Sequence, residues 1–176
     1  MRRHLGLRLL SVDHHHALVQ AARMQSNPTR ETAAAFLQFW KNETCRHFRE
    51  EETILLPIFA RDGGNVATEA IGQMLTDHIR IRAAVLAIED ELREGRIDPE
   101  FFQRTGAILE AHVRLEERIV FPYIQENLSE SGLNEIGAHL ETDHETAGGA
   151  SCVTSRPGSG ESVENPERSE KRADGA

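Results

Sequence analysis

The 176-residue chain carries a formal net charge of -9 and a mean hydropathy of -0.48, with 39% apolar residues, which suits one soluble domain with a modest core. The acidic surplus argues against nucleic acid as a partner, since a phosphate-neutralising surface leaves a basic balance. No segment has the length and apolarity of a membrane span, and Arg8 breaks the basic N-terminus before an apolar signal core can form.

Taken in order, Leu10, His14, Ala17, Leu18 and Ala21 recur at three and four residues and predict a helix over 7–25. Asn27 stands where it would cap the next helix, with Pro28 at its first position. That helix is predicted over 28–60, with an inward stripe of Phe36, Trp40, Glu43 or Thr44, His47, Glu51, Ile54 or Leu55, and Ile58. Pro57 falls near its end, where a missing N–H costs less. A turn over 61–65 leads to a third helix over 66–93, with Ile71, Leu75, His78, Ile81, Val85, Ile88 and Leu92 on one face. Asp98 and Pro99 open a fourth that fades near Asn127 and carries Phe102, Thr105, Leu109, His112, Glu116, Val120 and Tyr123. A shorter fifth over 132–146 offers Leu133, Ile136 and Leu140. Residues 147–176 are glycine, serine and charge with few apolar groups, and predict a disordered tail. With no strand-period segment, this predicts an all-α, antiparallel up-down four-helix bundle with a short fifth helix, one domain over 5–146.

One pattern is written twice. His47-Phe48-Arg49-Glu50-Glu51-Glu52 leads to Pro57, and His112-Val113-Arg114-Leu115-Glu116-Glu117 leads to Pro122 at the same spacing. Residues four apart on a helix lie one above the other, so each copy aims an imidazole and a carboxylate at a common point. Asp13-His14 precedes the first copy by 33 residues and Asp77-His78 precedes the second by 34. A tandem duplication of this kind gives the bundle a pseudo-twofold axis, with six candidate metal ligands at one level: His14, His47, Glu51, His78, His112 and Glu116.

Buried carboxylates without a partner cost several kcal/mol or become neutral, so two of them among four imidazoles call for a cation. Imidazole with carboxylate suits iron, manganese, zinc or nickel, whereas magnesium and calcium prefer oxygen alone. Six ligands exceed one tetrahedral zinc and match two ions bridged by the glutamates, di-iron first and di-manganese second. His15 and His16 are expected at the surface, and Glu50, Glu52 and Glu117 toward solvent or a neighbouring arginine. Arg82 is expected to pair with a carboxylate, Glu141-x-x-His144 to form a solvated face, and Met24, Met74 and Tyr123 to pack in the core. Cys45 is expected to face away from the metal. Neither it nor Cys152 forms a Cys-x-x-Cys pair, which excludes cysteine-rich metal sites and fits a cytoplasmic protein.

Asp13-His14, His47-Phe48-x-x-Glu51-Glu52, Asp77-His78 and His112-x-x-x-Glu116-Glu117-x-x-x-Phe121-Pro122 together resemble the hemerythrin-like, or HHE cation-binding, family over about 7–125. The resemblance implies a four-helix bundle around a non-heme, oxo- or hydroxo-bridged pair of iron ions (Fe2+/Fe3+). It also implies a role in binding or sensing oxygen, nitric oxide or iron. The alternatives it leaves are a di-iron redox enzyme acting on peroxide or as an oxidase, and an iron-site repair or iron-donor protein. A metal-free helical interaction module is a further class. The oxygen carriers of the family show a His-x-x-x-His pair on the third helix. Here Met74 and Arg82 stand four residues either side of His78, which counts against reversible oxygen carriage unless His15, His16, His139 or His144 supplies a fifth imidazole.

Overall fold

Residues 2–146 are described in this computed structural model; the predicted tail over 147–176 lies outside them. A 3-10 turn, Leu5–Leu7, leads into α1 (Arg8–Ser26). Helix α2 runs from Arg30 to Arg61 through two π-helical turns, Trp40–Thr44 and Glu51–Leu55. Helix α3 is Glu69–Arg93, α4 runs from Pro99 to Asn127 through one π-helical turn, Glu116–Val120, and α5 is Glu130–Thr146. Among the described residues there are five helices and no strand.

The helix starts follow local hydrogen bonding. Thr29, not Asn27, caps α2, its hydroxyl accepting from the N–H of Thr32. The Asn27 amide donates instead to the Thr32 hydroxyl at 3.3 Å, so Pro28 lies outside the helix. Thr68 caps α3 by accepting from Ile71 N–H, which moves its start from the expected residue 66 to Glu69. Asp98 caps α4 with Pro99 as its first residue, as the sequence predicts.

The π-helical turns explain the repeated prolines. Leu56 N–H reaches back five residues to Glu51 C=O, and Phe121 N–H to Glu116 C=O. Pro57 and Pro122 follow directly. A proline inside an α-helix collides with the carbonyl four residues back, and widening the helix just before it gives the ring room. The extra residue also turns two neighbours inward together, Leu55 with Leu56 and Val120 with Phe121, all buried.

The core lies in two apolar layers. One joins Leu7 of the 3-10 turn and Leu10 at the start of α1, the end of α2 (Leu55, Phe59), the start of α3 (Ile71, Met74) and the end of α4 (Val120, Ile124). The other joins the end of α1 (Ala21, Met24), the start of α2 (Phe36, Trp40), the end of α3 (Val85, Ile88) and the start of α4 (Phe102, Leu109). Starts meeting ends in both layers make the four helices alternate in direction, the predicted antiparallel bundle. Leu133, Ile136 and Leu140 of α5 are buried in the first layer, as expected. Among the described residues, no helix is long and apolar enough to cross a membrane.

Candidate metal centre

Between the two apolar layers sits a polar one, and each helix of the bundle contributes to it. Helix α1 supplies His14, α2 His47 and Glu51, α3 His78, and α4 His112 and Glu116. All six side chains are buried, the two glutamates with 0% exposure. One α-helical turn separates His47 from Glu51 and His112 from Glu116, and the π-helical turn begins only at the glutamate. The His-x-x-x-Glu pairing is therefore undistorted in both copies.

The six form two groups that share both carboxylates: His14, His47, Glu51 and Glu116, and His78, His112, Glu51 and Glu116. In the first, His14 Nε2 lies 3.0 Å from His47 Nε2 and 2.9 Å from Glu116 Oε2, and His47 Nε2 lies 3.3 Å from Glu51 Oε1. In the second, His78 Nε2 is 3.2 Å from Glu51 Oε2, and His112 Nε2 is 3.1 Å from Glu116 Oε1. Both oxygens of each glutamate, Nε2 of His78 and both ring nitrogens of His112 are buried without a hydrogen-bond partner. Buried polar atoms are almost always satisfied, so this many converging acceptors fit a cation. Such a set suits a transition metal and not magnesium or calcium.

Behind the centre stand residues whose part the sequence reading missed. Glu117 Oε1 accepts from His14 Nδ1 at 2.7 Å, and Glu52 Oε1 accepts from His78 Nδ1 at 2.7 Å. Each glutamate is clamped by an arginine: Arg3 to Glu117 at 2.6 Å, and Arg82 to Glu52 at 2.7 and 3.1 Å. Each arginine also lies over a phenylalanine, Arg3 over Phe121 and Arg82 over Phe48. Phe121 in turn stacks on His14 and Phe48 on His78, both with ring planes 12° apart. An ionised carboxylate only accepts, so it keeps the proton on Nδ1 and leaves the Nε2 lone pair to the centre. Glu52 and Glu117, expected toward solvent or an arginine, do meet arginines but act on the histidines as well. The available signal was the doubled glutamate of both copies.

Glu50 meets a neighbouring arginine, one of its two expected settings, but is shut off from solvent. It has 0% exposure and faces Arg46 and His144, at 3.4 Å each. His144 of α5 therefore turns to the bundle, where a solvated face was expected. His15 and His16 are exposed, with His16 bonded to Glu43, and His139 lies at the surface near Glu135. None of these four histidines enters either of the two central groups; His16 stands instead beside Asp13 and Glu43. Arg82 pairs with a carboxylate as expected, Met24 and Met74 are core, and half-buried Tyr123 packs on Phe59.

Protonation follows the same geometry. Burial pulls the His78 imidazole down, but Glu116, Glu51 and Glu52 outweigh it and hold it at about 10. Burial likewise opposes His14 and His47, yet Glu116 and Glu117 raise the first, and Glu51 and Asp13 raise the second well above its ordinary value. For His112 burial wins, and it is lowered. Burial pushes Glu51 up while His47 and His78 hold it well below the usual carboxylate range. Glu52 and Glu117 overcome burial through their histidine and arginine partners and sit at about 2. The raised imidazoles thus set positive charge against the buried carboxylates, and a cation bound there would take over that role.

A cavity of about 10 Å³ opens beside His14, His47 and His112, between Ala17, Phe39, Leu109 and Val113. That is room for one water-sized molecule.

No curated protein and no solved structure matches the chain. A family model does, that of the Hemerythrin HHE cation binding domain, over residues 5–124. The match contains all six converging residues and both π-helical turns that follow a ligand-type glutamate. With buried histidine–glutamate groups suited to a metal, the chain belongs to the hemerythrin HHE cation-binding family.

Proposed function

We propose that the chain, over 5–146, is a di-metal protein that binds or senses oxygen, nitric oxide or iron, with iron ahead of manganese or zinc as its metal. The observation that carries this reading is the sharing of Glu51 and Glu116 between two groups of ligands. His14 and His47 would hold one ion, His78 and His112 the other, and the glutamates both. Bound there, iron would supply one-electron redox change and coordination positions open to a small ligand.

The chain's own residues prepare that chemistry. Glu117 and Glu52 fix the Nδ1 protons of His14 and His78, so these rings enter the centre as neutral ligands already turned to it. Phe48 and Phe121 cover two of the rings and keep water from them. The cavity beside His14, His47 and His112 favours a partner of very few atoms, such as oxygen, nitric oxide or peroxide, over an organic substrate. Because it also suits peroxide, a redox enzyme is the second reading. We place the protein in the cytoplasm, and cell fractionation checks this.

An anaerobic optical titration with Fe(II), followed by exposure to oxygen and removal of the gas, tests the function. A change in the iron spectrum on exposure to oxygen, without sustained turnover, is expected. Sustained consumption of oxygen or peroxide would move the assignment to the enzyme, and no iron bound would overturn both.

A further inference from the structure

The two halves of the centre differ in what stands behind their histidines. His14 and His78 match, each with a glutamate 2.7 Å from Nδ1. His47 and His112 do not. Arg46 Nη2 donates to Asp13 Oδ2 at 3.1 Å and sets that carboxylate 3.6 Å from His47 Nδ1. The corresponding aspartate, Asp77, accepts instead from Gln73 and Arg80 of its own helix, at 2.8 and 3.3 Å. Among the described residues, His47 Nδ1 and His112 Nδ1 are both buried without a hydrogen-bond partner, but only His47 Nδ1 has a carboxylate within ion-pair distance. The sequence gives the reason: the residue before His47 is Arg46, but the residue before His112 is Ala111, and an alanine cannot draw Asp77 inward.

A carboxylate behind a ligating imidazole orients the ring and raises its basicity, and losing it typically costs 10–100-fold in metal affinity. Only the His14–His47 pair has a carboxylate behind both rings. We propose that the two cation positions are unequal: the one built on His14 and His47 fills first and holds its ion more tightly, and the one built on His78 and His112 is the exchangeable position. This rests on the two-ion reading above and assigns different work to its halves. One ion is a fixture of the fold, and the other is the ion that a change in metal supply removes first.

Cobalt(II) titration of the metal-free, full-length protein, followed by absorption and calorimetry, tests it. Two steps separated by about tenfold or more are expected. His112→Ala should keep the tight step and lose the weak one, whereas His47→Ala should lose the tight step. Asp13→Asn, which preserves shape, should weaken the first step by about 10–100-fold and spare the second. Asp77→Asn should leave both where they are. Two ions of equal affinity, a tight step lost with His112→Ala but kept with His47→Ala, or an Asp13→Asn variant that weakens both steps alike would overturn the inequality while leaving a two-ion centre intact. No cobalt bound at all would remove the centre itself.

Discussion

Two carboxylates at Glu51 and Glu116, fully buried and facing each other across four imidazoles, make sense as ligands. An ion left uncompensated in a protein interior costs several kcal/mol, whereas a structural cation returns on the order of 10 kcal/mol of binding energy to the fold. These six residues were legible in the sequence because their helical spacing is local and repeated. The layer behind them was not. Glu52 and Glu117 are one residue past a ligand, about a quarter-turn round the helix, and only the placement of a neighbouring helix brings each to a histidine of another element. Glu117→Gln puts an amide, able to donate as well as accept, against His14 Nδ1. It should lower metal affinity by about 10–100-fold in chelator competition, and unchanged affinity would contradict the assigned role. Glu50 gives a pH prediction. Burial pushes its carboxyl from an ordinary 4.5 up to about 8, so the folded state favours the protonated form. Its stabilising contribution is complete below about pH 4.5 and is lost as the pH rises through about 8. In urea titrations of metal-free protein, Glu50→Gln should show a smaller decline in stability across that window; curves parallel to wild type would count against it.

At the level of elements, stripes and turns were read correctly where apolar periodicity is strong, as in α5, whose Leu133, Ile136 and Leu140 are all buried. Helix starts were harder, because Asn27 and Thr29 are both competent caps and a hydrogen bond to Thr32 decides between them. The π-helical turns at Glu51 and Glu116 left one trace in the sequence, a proline six residues after each glutamate, which reads equally well as a helix nearing its end. Helix α5 docks through a close backbone approach. A Cβ on Gly6 would overlap the Leu133 carbonyl oxygen, and one on Gly137 would stand 2.9 Å from Gly6 Cα. Gly6→Ala should therefore push α5 off the bundle and destabilise the protein by about 1–3 kcal/mol. Thermal unfolding measures the loss, and because Gly6 lies away from the ligands, metal content should be unchanged. Retained stability would mean that α5 adjusts without cost.

Across the whole molecule, two apolar layers hold a polar layer between them, and all four long helices meet there. A cation held in that layer would join all four helices, and its binding would then be linked to stability. Metal content measured alongside thermal unfolding, for wild type and for the His47→Ala/His112→Ala double variant, tests this most directly. Wild type loaded anaerobically with Fe(II) should hold about two ions per chain and unfold at a higher temperature than its metal-free form. The double variant should lose both the ions and the increment. Iron content equal in the two proteins, or wild type that binds none, would contradict the account.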